Sequence, residues 1–259
     1  MYSSERVSEV LELHRAGLNI SQISRHTGVS RAAVRDWIAG RLPRGRGRDP
    51  GVASCPSCGH DEHDHQALPE SYAYLLGIYL GDGCISSHAR GVYRLRVVLD
   101  LRYPGIVDEV ETAIGEVMPG RRISRLARSS NYVDRDEPTY VELGAYSKSW
   151  PCLFPQHGPG KKHTRRIELV DWQRELVRRR PELLLRGLIH SDGCRFINTG
   201  RGNWRCPRYA FNNLSEDIRE IFCVGCEAMG LHYTTDPRTV YVSRKADVAT
   251  LDKHIGPKA

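Results

Sequence analysis

Two stretches of this chain, Leu75-Leu76-Gly77-Ile78-Tyr79-Leu80-Gly81-Asp82-Gly83 and Leu185-Arg186-Gly187-Leu188-Ile189-His190-Ser191-Asp192-Gly193, follow one pattern: an apolar run with small residues four apart, closed by Asp-Gly. Residues four apart share a helix face, so Gly77 with Gly81 and Gly187 with Ser191 would notch two helices and let them approach almost backbone to backbone. Their C-terminal ends would then meet and set Asp82 beside Asp192. Two carboxylates at two negative helix ends repel each other unless a divalent cation sits between them. One such helix would say little, because Asp and Gly end helices in any core. Two, 110 residues apart, constrain everything between and after them.

The order of elements downstream of each Asp-Gly is the same. In the first half, Tyr93 to Leu101 alternates, with Leu95, Val97, Leu99 and Leu101 on one face and Arg94, Arg96 and Asp100 on the other, which predicts a strand buried on one side. An amphipathic helix is predicted over 104–117, then strands near 121–127 and 139–146. In the second half, strands near 194–198 and 205–213 precede a helix over 215–229 with Ser215 at its N-cap, then strands near 231–235 and 239–243 and a last helix. Cys84 and Cys194 follow the two Asp-Gly pairs at equivalent points.

This arrangement resembles the LAGLIDADG homing endonucleases in their single-chain, two-motif form. Gly77 and Gly187 match the motif's first glycine, and Asp82-Gly83 and Asp192-Gly193 match its terminal Asp-Gly. The sixth position departs: Leu80 and His190 stand where many members carry an acid. The resemblance implies an α+β fold, a pseudo-two-fold pair of αββαββα repeats whose antiparallel sheets form a saddle over double-stranded DNA. It implies Mg2+ or Mn2+ held by Asp82 and Asp192 together with the carbonyls of Gly81 and Ser191. It also implies a basic residue near each scissile phosphate: Lys161 or Lys162 in the first half, and Lys245 as the positional counterpart in the second. Exposed alternating positions offer Arg94, Arg96, Arg125, Arg195, Arg208 and Asn212 as the DNA-facing lining.

Charge distribution agrees with a polyanionic partner. Net charge is +7, with nine basic against five acidic residues over 1–50 and nineteen against twelve over 161–259. Neutralising phosphates at two separate places would release counterions at both. No apolar run reaches membrane-spanning length and the N-terminus lacks a signal-peptide core, so a cytoplasmic, nucleoid-associated protein is expected, with no membrane partner.

The first forty residues carry a different signal. Val7, Val10, Leu11 and Leu13 share a helical face ending at Gly17; Ser21 and Ser30 are candidate N-caps around Gly28, and Ile23, Val29, Val34 and Trp37 would pin two helices together. This resembles a helix-turn-helix of the repressor and resolvase type, which would turn Arg31, Ala32 and Arg35 toward bases in the major groove. Residues 39–53 are too rich in Gly, Pro and Arg for helix or strand and read as a basic linker. Next comes Cys55-Pro-Ser-Cys58-Gly-His60-Asp-Glu-His63-Asp-His65, a knuckle suited to one structural Zn2+. Either Cys55, Cys58, His63 and His65 close the site, or a second pair of ligands comes from elsewhere, Cys223 and Cys226 being one source.

The expected domains are 1–40 (helix-turn-helix), 41–69 (linker and knuckle), 70–160 and 161–259 (the two repeats), in a monomer with internal pseudo-symmetry. The expected function is site-specific hydrolysis of double-stranded DNA. The rival is a non-catalytic transcription regulator on the same scaffold, against which the retention of both Asp82 and Asp192 weighs.

Overall fold

The computed structural model describes residues 4–40, 55–59, 63–129, 137–200, 202, 205–256 and 258. Most of the basic linker expected over 39–53, and His60 of the knuckle, lie outside them. The chain forms two compact units, Met1–Ser54 and Cys55–Ala259.

The first unit has three short helices, α1 (Ser4–Arg15), α2 (Ile20–Thr27) and α3 (Arg31–Ile38), closed around Val10, Ile23, Val29, Val34 and Trp37. Gly28 makes the turn between α2 and α3 at φ +69°, left-handed backbone that a side chain would strain. Ser30 caps α3, its hydroxyl accepting from the Ala33 N–H. At α2 the cap is Asn19, which forms a capping box with Gln22, and not Ser21. Asn19 precedes the first helical residue, its Oδ1 accepting from the Gln22 N–H while its own N–H donates to Gln22 Oε1, whereas Ser21 is already inside the helix.

The second unit repeats one sequence of elements twice. The first copy is α4 (Ser71–Gly81), β1 (Gly83–His88), β2 (Val92–Asp100), α5 (Pro104–Val117), β3 (Ile123–Arg128), β4 (Tyr140–Ser147) and α6 (Trp150–Leu153). After α7 (Asp171–Arg179) comes the second copy: α8 (Pro181–Asp192), β5 (Gly193–Thr199), β6 (Arg205–Asn212), α9 (Glu216–Ala228), β7 (Thr234–Thr235), β8 (Thr239–Val242) and α10 (Lys245–His254). Each copy folds into a four-stranded antiparallel sheet of the same order, β1-β2-β4-β3 and β5-β6-β8-β7. The architecture is therefore α+β, a duplicated αββαββα unit.

Residues Tyr72 to Leu80 of α4 are buried without interruption, because this helix lies at the centre of a core shared by both copies rather than on its surface. It packs on α8 through the notches. A Cβ on Gly77 would lie 2.5 Å from the Leu184 carbonyl oxygen and 2.7 Å from the Leu188 nitrogen, and one on Gly187 would run into the Tyr74 carbonyl, 3.0 Å from the Gly77 Cα. Glycine is required at both positions because backbone occupies the space a side chain would need.

Candidate active site

The notched crossing brings two helix ends together at one place. Asp82 caps α4, its N–H donating to the Ile78 carbonyl, and Asp192 is the last residue of α8. The approach is close: a Cβ on Gly81 would lie 3.0 Å from Asp192 Oδ2. Asp192 Oδ2 accepts a 2.7 Å hydrogen bond from Asn213 Nδ2, while the Asp82 carboxylate accepts none among the described residues. Asp82 keeps access to solvent at the mouth of the site but is crowded by protein on its other sides. Lost hydration, and after it the charge of Asp192, push its carboxyl up to about 6, with Lys258 and Lys162 pulling the other way. Burial raises Asp192 as well, against Asn213 and the same two lysines.

The lysines complete the arrangement. Lys162 Nζ donates to the carbonyls of Tyr79 (2.6 Å) and Gly81 (2.8 Å), and burial lowers it to about 8 despite both aspartates. Lys258 Nζ donates to the Ser191 carbonyl at 3.2 Å and is likewise lowered by burial. Gly81 and Ser191 immediately precede the two aspartates, so the lysines hold equivalent carbonyls across the pseudo-two-fold. Lys258 is a residue that sequence reasoning missed. The available signal was a shared Gly-x-Lys: each lysine follows by two residues a left-handed glycine, Gly160 (φ +77°) and Gly256 (φ +69°).

Lys245, expected as the second basic residue, opens α10 on the surface; the cations acting on the two carboxylates are Lys162 and Lys258. Lys161 is also exposed and makes a turn with Thr164. Beside the site, Gly81, Lys162, His163, Asp192, Asn212 and Asn213 line an open hollow of about 320 Å³. Two neighbouring carboxylates, of which Asp82 accepts no hydrogen bond among the described residues, suit a hard divalent cation such as Mg2+ or Mn2+ and not a thiophilic metal. The carbonyls of Gly81 and Ser191, expected as further ligands, are engaged by the lysine ammonium groups here.

No family model matches this chain, and no curated protein does. Its neighbours among solved structures are LAGLIDADG homing endonucleases and the protein WhiA. The homing endonuclease I-WcaI bound to its DNA recognition sequence is 12% identical, over 74% of this chain and 83% of that one, at a TM-score of 0.47. An I-DmoI variant in complex with nicked target DNA and manganese is 18% identical, over 72% and 95%, at 0.45. Full-length WhiA from Thermatoga maritima is 14% identical, over 75% and 59%, at 0.45.

Strand register assigns alternate residues to the outer face of each sheet. Cys84, Arg94, Arg96, Val98, Glu142, Tyr146 and Leu126 share the outer face of the first sheet, where Arg94 pairs with Glu142 at 2.5 Å and Arg96 with the same carboxylate at 3.6 Å. Arg208, stacked 4.9 Å over the Tyr241 ring, and exposed Asn212 share the outer face of the second. Two expected lining residues do not belong there. Arg125 has the parity of Ile123 and pairs toward α5 with Asp108 (2.8 Å) and Glu111 (3.1 Å). Arg195 has the parity of Gly193 and Tyr209, on the helix side, and binds Asp252 of α10 through two contacts of 2.7 and 2.8 Å. Both are charged residues of strands whose boundaries the sequence does not mark firmly enough to fix parity.

In the three-helix unit Arg31, Ala32 and Arg35 are all exposed on α3. Among the zinc candidates, Cys55, Cys58 and His63 do come together, but His65 does not join them. Its ring stacks on Trp172 at 4.1 Å, and the fourth member of the group is Cys152. Cys223 and Cys226 lie on α9, in the core of the second copy. Among the described residues no helix is long and apolar enough to cross a membrane.

Proposed function

We propose that this protein is a divalent-metal-dependent endonuclease that cuts double-stranded DNA at the meeting point of α4 and α8. The observation that carries this reading is the neighbouring pair Asp82 and Asp192 with a lysine on each side of the dyad. A divalent cation held there would lower the pKa of water and neutralise charge building on the scissile phosphate. Asp82 and Asp192 would hold that cation through their carboxylate oxygens. Lys162 and Lys258 supply positive charge to the phosphate. Arg94, Arg96, Arg208 and Asn212, with exposed Leu126, Val98 and Tyr146 beside them, suit a sheet surface that meets phosphates and base edges. Arg31, Ala32 and Arg35 suit a second contact by the N-terminal unit. The similarity to DNA-bound homing endonucleases is compatible with this reading without adding to it.

One observation favours a second reading. Lysine ammonium groups already occupy the Gly81 and Ser191 carbonyls and partly offset the two carboxylates, an arrangement that holds together without metal and would serve a DNA-binding regulator. Cleavage decides between them. Duplexes selected from a randomised library for tight binding are incubated with protein and Mg2+, alongside Asp82→Asn, Asp192→Asn and Lys258→Met. The endonuclease reading expects cutting by the wild type, a loss on the order of a hundredfold or more in each variant, and retained binding. Metal-independent binding with no cutting supports the regulator; cutting undiminished in both aspartate variants removes this site from the reaction.

A further inference from the structure

A second cluster of reactive side chains lies in the same unit and shares no residue with the acidic site. We propose that Cys55, Cys58, His63 and Cys152 bind one structural zinc ion, an assignment independent of whether the protein cuts DNA. Their ligand atoms, three sulfurs and an imidazole nitrogen, all lie within 4.8 Å of one another. Cys55 Sγ and Cys152 Sγ are 3.7 Å apart, and Cys58 Sγ is 3.3 Å from His63 Nε2. Four ligands placed tetrahedrally at about 2.3 Å (sulfur) and 2.0 Å (nitrogen) from one centre would show separations of about 3.8 and 3.5 Å, which these two pairs already match. A separation of 3.7 Å between Cys55 Sγ and Cys152 Sγ is far too long for a disulfide.

The backbone is shaped for the same purpose. The Gly59 N–H donates to the Cys55 carbonyl at 2.8 Å and Gly59 sits at φ +66°, giving the tight turn that aims two cysteines of a Cys-x-x-Cys at one point. A three-thiolate, one-imidazole set selects Zn2+ over the hard cations expected at the aspartates. On binding, the thiol protons leave to solvent as the zinc–sulfur bonds form. The effect is to fasten the segment before α4 to α6, 97 residues away. The fastening sits beside a buried polar network: Tyr72 Oη donates to the Leu153 carbonyl (2.5 Å), and Gln173 Nε2 donates to Tyr72 Oη (2.6 Å). Zinc therefore anchors the start of the helix whose far end carries Asp82.

The test is metal analysis of the full chain purified without chelator, read by plasma emission. It should carry about one zinc per chain. Cobalt substitution should give the visible d–d bands of a tetrahedral centre together with thiolate charge transfer. Cys152→Ser should lower zinc content to less than about a tenth, while Cys152→His, which keeps a ligand, and His65→Ala should retain it. The cobalt spectrum of the wild type reads the site even if Cys152→Ser proves insoluble. The proposal is overturned if the protein is zinc-free, if iron takes the place of zinc, if His65→Ala loses the metal while Cys152→Ser keeps it, or if mapping finds Cys55 and Cys152 joined as a disulfide.

Discussion

His190 shows how far one residue can stand from the role its position suggests. It occupies the motif position where an acid is common, yet it is turned into the core, its ring within 3.0 Å of the Tyr74 hydroxyl and its side chain 2% exposed. Burial first, and then the positive charge of Arg186 and Lys258, depress its pKa from 6.5 to about 3. A base whose folded pKa lies below its unfolded one favours folding in full above pH 6.5 and loses that contribution as pH falls toward 3. Between pH 7.5 and 5 this amounts to about 2 kcal/mol. Urea unfolding of the wild type and His190→Gln at both pH values checks it: the wild type should lose that much more than the variant, and parallel losses would contradict it. At this scale the sequence offers Asp82 and Asp192 through the repeated Asp-Gly ending, and Lys161 or Lys162 through the basic stretch before the second helix, without choosing between the two lysines. It was not legible for Cys152 or Lys258, whose partners lie 97 and 67 residues away and are joined to them only by folding.

Among elements, the crossing of α4 and α8 dominates. Adding a methyl group at Gly77 or Gly187 drives it into backbone atoms, which no rotamer change can relieve. Gly77→Ala and Gly187→Ala should each cost about 3 kcal/mol or more. Gly115→Ala on α5 is the control: its Cβ would meet only Ile123 Cδ1 at 3.8 Å, and replacing a helical glycine there should gain about 1 kcal/mol. Thermal denaturation of the three variants tests the contrast, and equal melting temperatures would refute it. Element spans were readable because apolar period changes sharply here, from 2 in β2 to helical in α5. Parity was readable only where the alternation was long: nine residues of β2 placed Arg94 and Arg96 on the exposed face, whereas the shorter patterns of β3 and β5 left Arg125 and Arg195 on the wrong side.

For the molecule as a whole, two units carry basic surface, and the proposed function assigns them separate tasks. If α3 reads DNA, Arg31→Ala with Arg35→Ala should weaken binding to a selected duplex by about 1–3 kcal/mol for each base that is no longer read, leaving the cutting rate at saturating protein unchanged. Fluorescence anisotropy beside a single-turnover cleavage assay separates the two quantities; unaltered affinity would remove α3 from recognition. Duplicated architecture was legible in the sequence because the Asp-Gly endings recur with the same elements behind them. The meeting of Cys55, Cys58 and His63 with Cys152 of α6 was not, since the recognisable knuckle gives no sign of Cys152.

The glycine seam has a consequence for anyone wishing to recombine halves of such molecules. Where two main chains touch with no intervening side chain, shape is set by carbonyls and amides that mutation cannot trim. A foreign half must therefore arrive with its own matching indentations in register, or the acidic tips will miss one another even if each half folds perfectly well alone.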